Sequence, residues 1–346
     1  MIIRLGYVAI ALNLKNVTSS STVTFATYNK LKSEEERLKK LKSVTFSNTD
    51  DLETILKYNM ENNIHFYRLT SKLIPLSTHP EVTWEYEKYF SKELKRIGDI
   101  IKKSHMRVDF HPDQFNVINS VKDKVIEDTI RNLNHAVDLY DLMEYDEGKL
   151  VIHVGSSAGG KEESIKRFIT NLDRFPKRIT SRLIIENDDK VFTAKNVLDL
   201  CQEINCPMVL DLHHHKCKND GENIADLLED IFNTWNNESL PPKVHFSSPR
   251  ESEFDRKHAD FIDVNDFANF LNIAKETTNK DFDVMIEAKK KDQALLKLVK
   301  DLKKINYPCE FLDSSTIKIQ IFLVGYDINI ILVKKILKYY PYVYIK

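Results

Sequence analysis

Eight short apolar runs, each bounded by turn residues, recur along the first 305 residues and alternate with longer segments of helical period. They are IIRLGYVAI (2–10), HFYRL (65–69), MRVDFH (106–111), LVIHVG (150–155), RLIIEN (182–187), PMVLDLH (207–213), KVHFSS (243–248) and DVMIEA (283–288). Between them lie YEKYFSKELKRIGDIIKK, KVIEDTIRNLNHAVDLYDLM, EESIKRFITNL, TAKNVLDLCQEI, NIADLLEDIFNTW, VNDFANFLNIAKE and DQALLKLVKDLKK, whose apolar residues fall at three- and four-residue steps. Strands alternating with helices predict βα units and a parallel sheet. Eight such units close a TIM (β/α)8 barrel, whereas an open doubly wound sheet stops at five or six strands and needs a glycine-rich first turn. Gly6 stands alone before Tyr7, so the α/β barrel is the expected fold.

A chain of 346 residues, 42% of them hydrophobic, accommodates one such barrel, which takes ~250 residues. The expected catalytic domain spans 1–305. Residues 15–64 stretch the first unit with a Ser/Thr-rich loop, the charged SEEERLKKL and the helical DLETILKYNM, read as an insertion or lid. From 306 to 346 the βα rhythm is lost in an Ile- and Tyr-rich tail, expected to be a C-terminal extension without a catalytic part. Its run IKIQIFLVGYDINIILV is interrupted by Lys318 and Asp327 and falls short of ~20 clean apolar residues, so no membrane span is expected. The N-terminal run carries Arg4 and no small-x-small pattern, which reads as a strand rather than a signal peptide. Cys201, Cys206, Cys217 and Cys309 form no CxxC pair, which suits reduced thiols and a cytoplasmic location.

With Lys+Arg 51 against Asp+Glu 52, the net charge is -1. No overall cationic field exists to hold nucleic acid, so any such affinity must come from a local patch or from bound ions. His111, His153, Glu186, Asp211, His245 and Glu287 each fall at or near the carboxyl end of an expected strand. In this barrel type all those ends meet on one face, where active sites are built. His79, after the second strand, and His258, after the seventh, join them. A lone histidine beside a strand is more often structural than a ligand, and that reading is kept for His65, His105 and His135. Several carboxylates buried in one mouth are a different matter, because each is costly unless paired or metal-bound. Mixed nitrogen and oxygen donors suit Mn²⁺, Fe²⁺ or Zn²⁺ more than Mg²⁺ alone. In the HHH run, strand alternation puts His213 on the face of Asp211, whereas His214 reaches inward only if the backbone leaves the extended form. Pattern leaves both open.

The motifs resemble those of the UV damage endonuclease family from Leu5 to about Lys304. They are RLGYV (4–8), LIPLSTHP (73–80), FHPDQFN (110–116), IHVGSSAGGK (152–161), IENDDK (185–190), LDLHHH (210–215), PKVHFSSPR (242–250), HAD (258–260) and MIEAKKKDQALLKL (285–298). The resemblance implies up to three ions, Mn²⁺ first with Zn²⁺ or Mg²⁺ as alternatives, held by His79, His111, His153, Glu186, Asp211, His214, His245, His258 and Glu287. It selects His214 over His213. It makes Glu186, Glu287 and Lys243 catalytic, with Lys243 against the metals and open to carboxylation. Lys243 lies two residues before His245, on the same face of the strand. The chain departs from some relatives in lacking an asparagine soon after Tyr7, offering only Asn13.

The implied partner is damaged double-stranded DNA, and the protein is expected to act as a monomer. Tyr7, Gln114 and Phe115 are the expected lesion-binding residues, since a ring can replace lost stacking and an amide can bond an orphaned base. Lys161, Arg250, Arg256 and Lys257 are expected to contact phosphates from loops after strands four and seven. Hydrolysis needs an activated water, neutralised phosphate oxygens and a stabilised leaving alkoxide, and clustered divalent ions supply all three. Cleavage immediately 5′ of cyclobutane dimers, 6-4 photoproducts and some abasic sites is the implied reaction. The rivals are an abasic-site endonuclease of the endonuclease IV type and a metal-dependent sugar isomerase.

Overall fold

A computed structural model describes residues 1–320. All eight expected strands form: β1 (Ile2–Val8), β2 (Phe66–Leu69), β3 (Arg107–Phe110), β4 (Lys149–His153), β5 (Leu183–Glu186), β6 (Met208–Asp211), β7 (Lys243–Phe246) and β8 (Phe282–Ile286). They run parallel in the order β1 to β8, and β8 and β2 both pair with β1, which closes the barrel. The helices are α1 (Phe25–Asn29), α2 (Glu34–Glu61), α3 (Tyr86–Lys103), α4 (Asp123–Leu142), α5 (Lys161–Leu172), α6 (Lys177–Thr180), α7 (Ala194–Ile204), α8 (Leu212–Cys217), α9 (Ile224–Asn233), α10 (Val264–Thr277) and α11 (Lys291–Lys304).

The strands are apolar runs because a parallel barrel covers them on both faces. β2, β3, β5, β6 and β7 are buried at every position. Helix starts are set by side chains that satisfy the free N–H groups of the first turn: Ser33 caps α2, Thr193 forms a capping box with Asn196 on α7, and Asp263 accepts two N–H groups of α10. Gly6 is needed for close approach, since a Cβ there would lie 2.6 Å from the Phe66 ring and carbonyl.

Two features of the outer parts differ from the sequence reading. The SEEERLKKL and DLETILKYNM segments belong to one helix, α2, of 28 residues. Its buried Asn48 donates to the Ser21 and Leu73 carbonyls at 2.8 and 3.0 Å, tying the inserted loop to the loop after β2. The tail beyond 305 contributes β9 (Glu310–Phe311) and β10 (Thr316–Lys318). β10 runs antiparallel to the amino half of β1, pairing Ile2 with Lys318, while β2 pairs only from Gly6 onward. Ile317 and Ile319 are buried there, so residues 306–320 pack on the barrel at the end away from the carboxyl rim. Among the described residues no helix is long and apolar enough to cross a membrane; the expected non-spanning run mostly lies outside the described residues, as does the rest of the tail.

Candidate metal centre

Strand register puts the ligand candidates in one layer. His153 is level with Glu186 across β4 and β5, and Asp211 is level with His245 across β6 and β7. His111 and Glu287 each stand one residue past the end of a strand, β3 and β8. Three overlapping groups result, each with donor atoms within 4.8 Å of one another: His111–His153–Glu186, Glu186–Asp211–His214 and Asp211–His245–Glu287. Glu186 belongs to the first two and Asp211 to the last two. Glu186 Oε2 lies 3.0 Å from His111 Nε2 and 3.7 Å from His153 Nε2, while its Oε1 lies 2.9 Å from His245 Nδ1.

The choice between His213 and His214 is made by the backbone. Asp211 ends β6 and N-caps α8, accepting the His214 N–H at 2.7 Å, so the chain leaves the extended form at once. His214 Nδ1 then sits 2.9 Å from the Asn187 carbonyl and 3.4 Å from Glu186 Oε1. His213 turns away, bonding Ser247 Oγ at 2.7 Å and the Asp255 carbonyl at 2.8 Å. Asn187, whose amide joins the Asp211 backbone at 2.8 and 3.0 Å, latches β5 to β6 beneath the ligands.

The electrostatics are those of a site short of positive charge. Burial works to raise the Glu186 carboxyl, but its contacts with the His245 and His153 rings and the hydrogen bonds from His111 and His245 outweigh it and hold the group well below the usual range. Burial pushes Asp211 up to about 8 against the pull of His214, with the Glu186 and Glu287 carboxylates adding to the rise. Burial also lowers His153, and takes His245 down to about 3, leaving both rings neutral and able to act as donors. His214 rises to about 9, since Asp211 and Glu186 overcome its burial. Asp211 Oδ2 and His153 Nδ1 are buried without a hydrogen-bond partner, which costs about 1–3 kcal/mol for each such atom. The neutral rings of His153 and His245, the clustered carboxylates and the orphaned acceptors fit divalent cations, which would supply the positive charge that the site lacks.

The other expected residues divide. His258 Nδ1 stands 3.8 Å from Glu287 Oε2, at the edge of the third group. His79 is in none of the groups; its ring stacks on Phe25 at 4.0 Å. Lys243 lies a layer lower, fully buried, with Nζ 3.1 Å from Asp109 Oδ2, and burial lowers it to about 8. It is part of a charged layer in which Arg107 bonds Asp109 at 3.2 Å and Asp283 at 2.9 Å, and Arg4 bonds Asp283 at 2.7 Å. Tyr7 is not on the rim: it faces outward from β1 and donates to Asn59 of α2 at 2.7 Å, fully buried. Gln114 is exposed and Phe115 is 76% exposed in the loop after β3. Lys161 pairs with Asp220 at 3.0 Å, Arg256 pairs with Asp189, and Arg250 and Lys257 are exposed. Asn13 donates to Tyr58 Oη at 3.0 Å. His65 pairs with Asp313 at 3.3 Å, and His135 bonds Ser77 and Tyr86, both structural roles. Sequence reasoning missed Arg68, which bonds His245 Nε2 at 3.0 Å and also Glu287.

A family model described as "UV-endonuclease UvdE" matches residues 3–313. The chain belongs to the UV-endonuclease family. Membership makes it an endonuclease, and relatives agree along nearly their whole length. A protein named UV DNA damage endonuclease from Bacillus mycoides (strain KBAB4) is 40% identical over 306 residues, covering 88% of this chain and 96% of the relative. One of the same name from Bacillus cereus (strain G9842) is 39% identical over the same coverage. The crystal structure of SacUVDE superposes with a TM-score of 0.78 at 37% identity, covering 88% of this chain and 99% of that one. Endonuclease IV from Thermus thermophilus, at 13% identity and a TM-score of 0.53 over 87% and 99% of the two chains, shares the barrel fold of this UV-endonuclease.

Proposed function

We propose that this UV-endonuclease hydrolyses one phosphodiester bond of damaged duplex DNA, immediately 5′ of cyclobutane dimers and 6-4 photoproducts and at some abasic sites, leaving a 3′-hydroxyl and a 5′-phosphate. The observation that carries the reading is the set of three ligand groups sharing Glu186 and Asp211 at the carboxyl rim. Divalent ions bound there, up to three and Mn²⁺ in preference to Zn²⁺ or Mg²⁺, would supply Lewis acidity and an activated water.

The chain's own residues set the rest. Glu186 and Asp211 would each serve two neighbouring sites, His111, His153, His214, His245 and Glu287 would complete them, and His258 would stand at the third. His79 stays a candidate ligand only if the loop after β2 rearranges. Lys243 sits beneath the cluster, where burial lowers it to about 8 and Asp109 holds its amine in place at 3.1 Å. Phe115, 76% exposed and little supported by packing, enters the duplex as a stacking wedge, with Gln114 at the orphaned base. Lys161, Arg250, Arg256 and Lys257 border the rim as phosphate contacts. The protein works as an intracellular monomer, and residues 306–346 give no catalytic group.

The test is a duplex carrying one defined photoproduct, incubated with the protein and Mn²⁺, with the cut mapped on both strands. A single nick immediately 5′ of the lesion is expected. Equal cutting of an undamaged duplex, or none of either, overturns the reading.

A further inference from the structure

Arg68 lies in β2 with only 7% of its surface exposed. Its Nη2 stands 3.0 Å from His245 Nε2 and also bonds Glu287 Oε1, while its Nε is buried without a partner. A guanidinium offers only donors and stays charged. His245 therefore accepts at Nε2, and its Nδ1 carries the proton that is donated to Glu186 Oε1 at 2.9 Å.

That arrangement and cation binding exclude each other. A divalent ion on Nδ1 needs the ring proton on Nε2, which would set two donors face to face at 3.0 Å. An ion on Nε2 takes the place of the guanidinium itself. Glu287 Oε1 is contested in the same way, since Glu287 and His245 share one ligand group. Whichever ring nitrogen serves, Arg68 must give way. It has somewhere to go: a cavity of about 600 Å³ is lined by Arg68, Thr70, Lys72, His111, Gln114 and Phe115, and it runs from the ligands toward the exposed Phe115 ring.

We propose that Arg68 is a substrate-binding residue that changes partners, neutralising Glu287 and capping His245 Nε2 until divalent cations take those ligands and then turning into this cavity to bind a phosphodiester oxygen. The identity of the anion rests on the nuclease reading above; the competition for His245 and Glu287 does not. Bidentate geometry suits a guanidinium to phosphate, and an anion arriving beside cations restores the charge balance that Glu287 gave to Arg68.

Two binding measurements test it, neither depending on turnover. Calorimetric titration of chelator-treated protein with Mn²⁺ should show the weakest site at least about tenfold tighter in Arg68→Met than in wild type. Fluorescence anisotropy in saturating Mn²⁺, using a duplex already nicked 5′ of a photoproduct, should show binding about tenfold weaker in Arg68→Met. Unchanged Mn²⁺ affinity overturns the exchange of partners, and unchanged duplex affinity overturns the phosphate contact. Should the methionine variant not fold, Arg68→Lys, which keeps the charge but lacks the fork, is measured instead, with both changes expected in the same directions and smaller. If wild type itself ignores the nicked duplex, the nuclease reading fails while the Mn²⁺ titration still decides the competition.

Discussion

Asp211 accepts the backbone N–H of His214 at 2.7 Å, so the carboxylate that ends β6 also folds the turn that carries the imidazole to the candidate metal centre. One side chain thus does structural capping through Oδ1 while Oδ2 is left buried and unpartnered. The two jobs can be separated. Asparagine caps as well as aspartate, and alanine loses about 1 kcal/mol. Because burial already raises Asp211 to about 8, the neutral amide should cost little in chelator. Asp211→Asn is expected to melt in chelator at or above the wild-type temperature and to lose most of the stabilisation that Mn²⁺ gives; Asp211→Ala should melt lower. Thermal denaturation with and without Mn²⁺ reads both, and a full Mn²⁺ response in Asp211→Asn contradicts the assignment.

Phe115 is expected to contribute to discrimination and not to stability. Removing a ring that is 76% exposed leaves no cavity, and surface substitutions stay within about 0.5 kcal/mol. Phe115→Ala should keep the wild-type melting temperature while the ratio of damaged to intact duplex cutting falls several-fold. Paired nicking assays on irradiated and unirradiated plasmid measure the ratio; an unchanged one rejects the wedge.

The charged layer under the cluster should be intolerant of a missing partner. Asp109 faces both Arg107 and Lys243, all three fully buried. Removing one partner of a buried pair costs about 3–5 kcal/mol because the other charges stay behind. Asp109→Ala is expected to lose that much in urea unfolding, and a loss below about 1 kcal/mol would show that the layer does not depend on the pairing.

His135 provides a pH dependence outside the ligand set. Its ring bonds Ser77 Oγ at 2.9 Å and Tyr86 Oη at 2.8 Å, and burial lowers it from 6.5 to about 4. Below pH 6.5 the unfolded chain takes up a proton that the folded one refuses, so the contribution is complete above 6.5 and declines as pH falls toward 4. Between pH 7 and 5 the wild type should lose about 2 kcal/mol more stability than His135→Gln, at about 1.36 kcal/mol per pH unit. Urea unfolding at the two pH values gives the difference; parallel losses would mean the ring is not held neutral.

Much of the barrel was legible because its physics is local. Runs buried on both faces and helices with three- and four-residue steps mark themselves, and the helix Tyr86–Lys103 is legible to the residue. The candidate ligands stand out because a His or carboxylate ends several of those runs. Pattern could not choose between His213 and His214, since the choice depends on where Asp211 bends the chain. Tyr7 is buried and not on the rim where a lesion contact was expected, and alternation held that answer: Arg4 pairs inward with Asp283, so Tyr7, with Ile3 and Leu5, faces the helices. Arg68 and the Arg107–Asp109 pair escape a search for metal ligands because it passes over arginine, yet a charge in the middle of a short buried strand was itself the signal. The pairing of β10 with β1 is a contact of high sequence separation that no local rhythm announces.

The most direct test of the metal centre is anomalous diffraction from crystals grown with Mn²⁺. Peaks are expected in the three groups at the carboxyl rim, with Glu186 reaching two of the ions and Asp211 likewise two. Ions found elsewhere on the surface, or a rim that stays without a peak while these side chains keep their mutual bonds, would contradict the account.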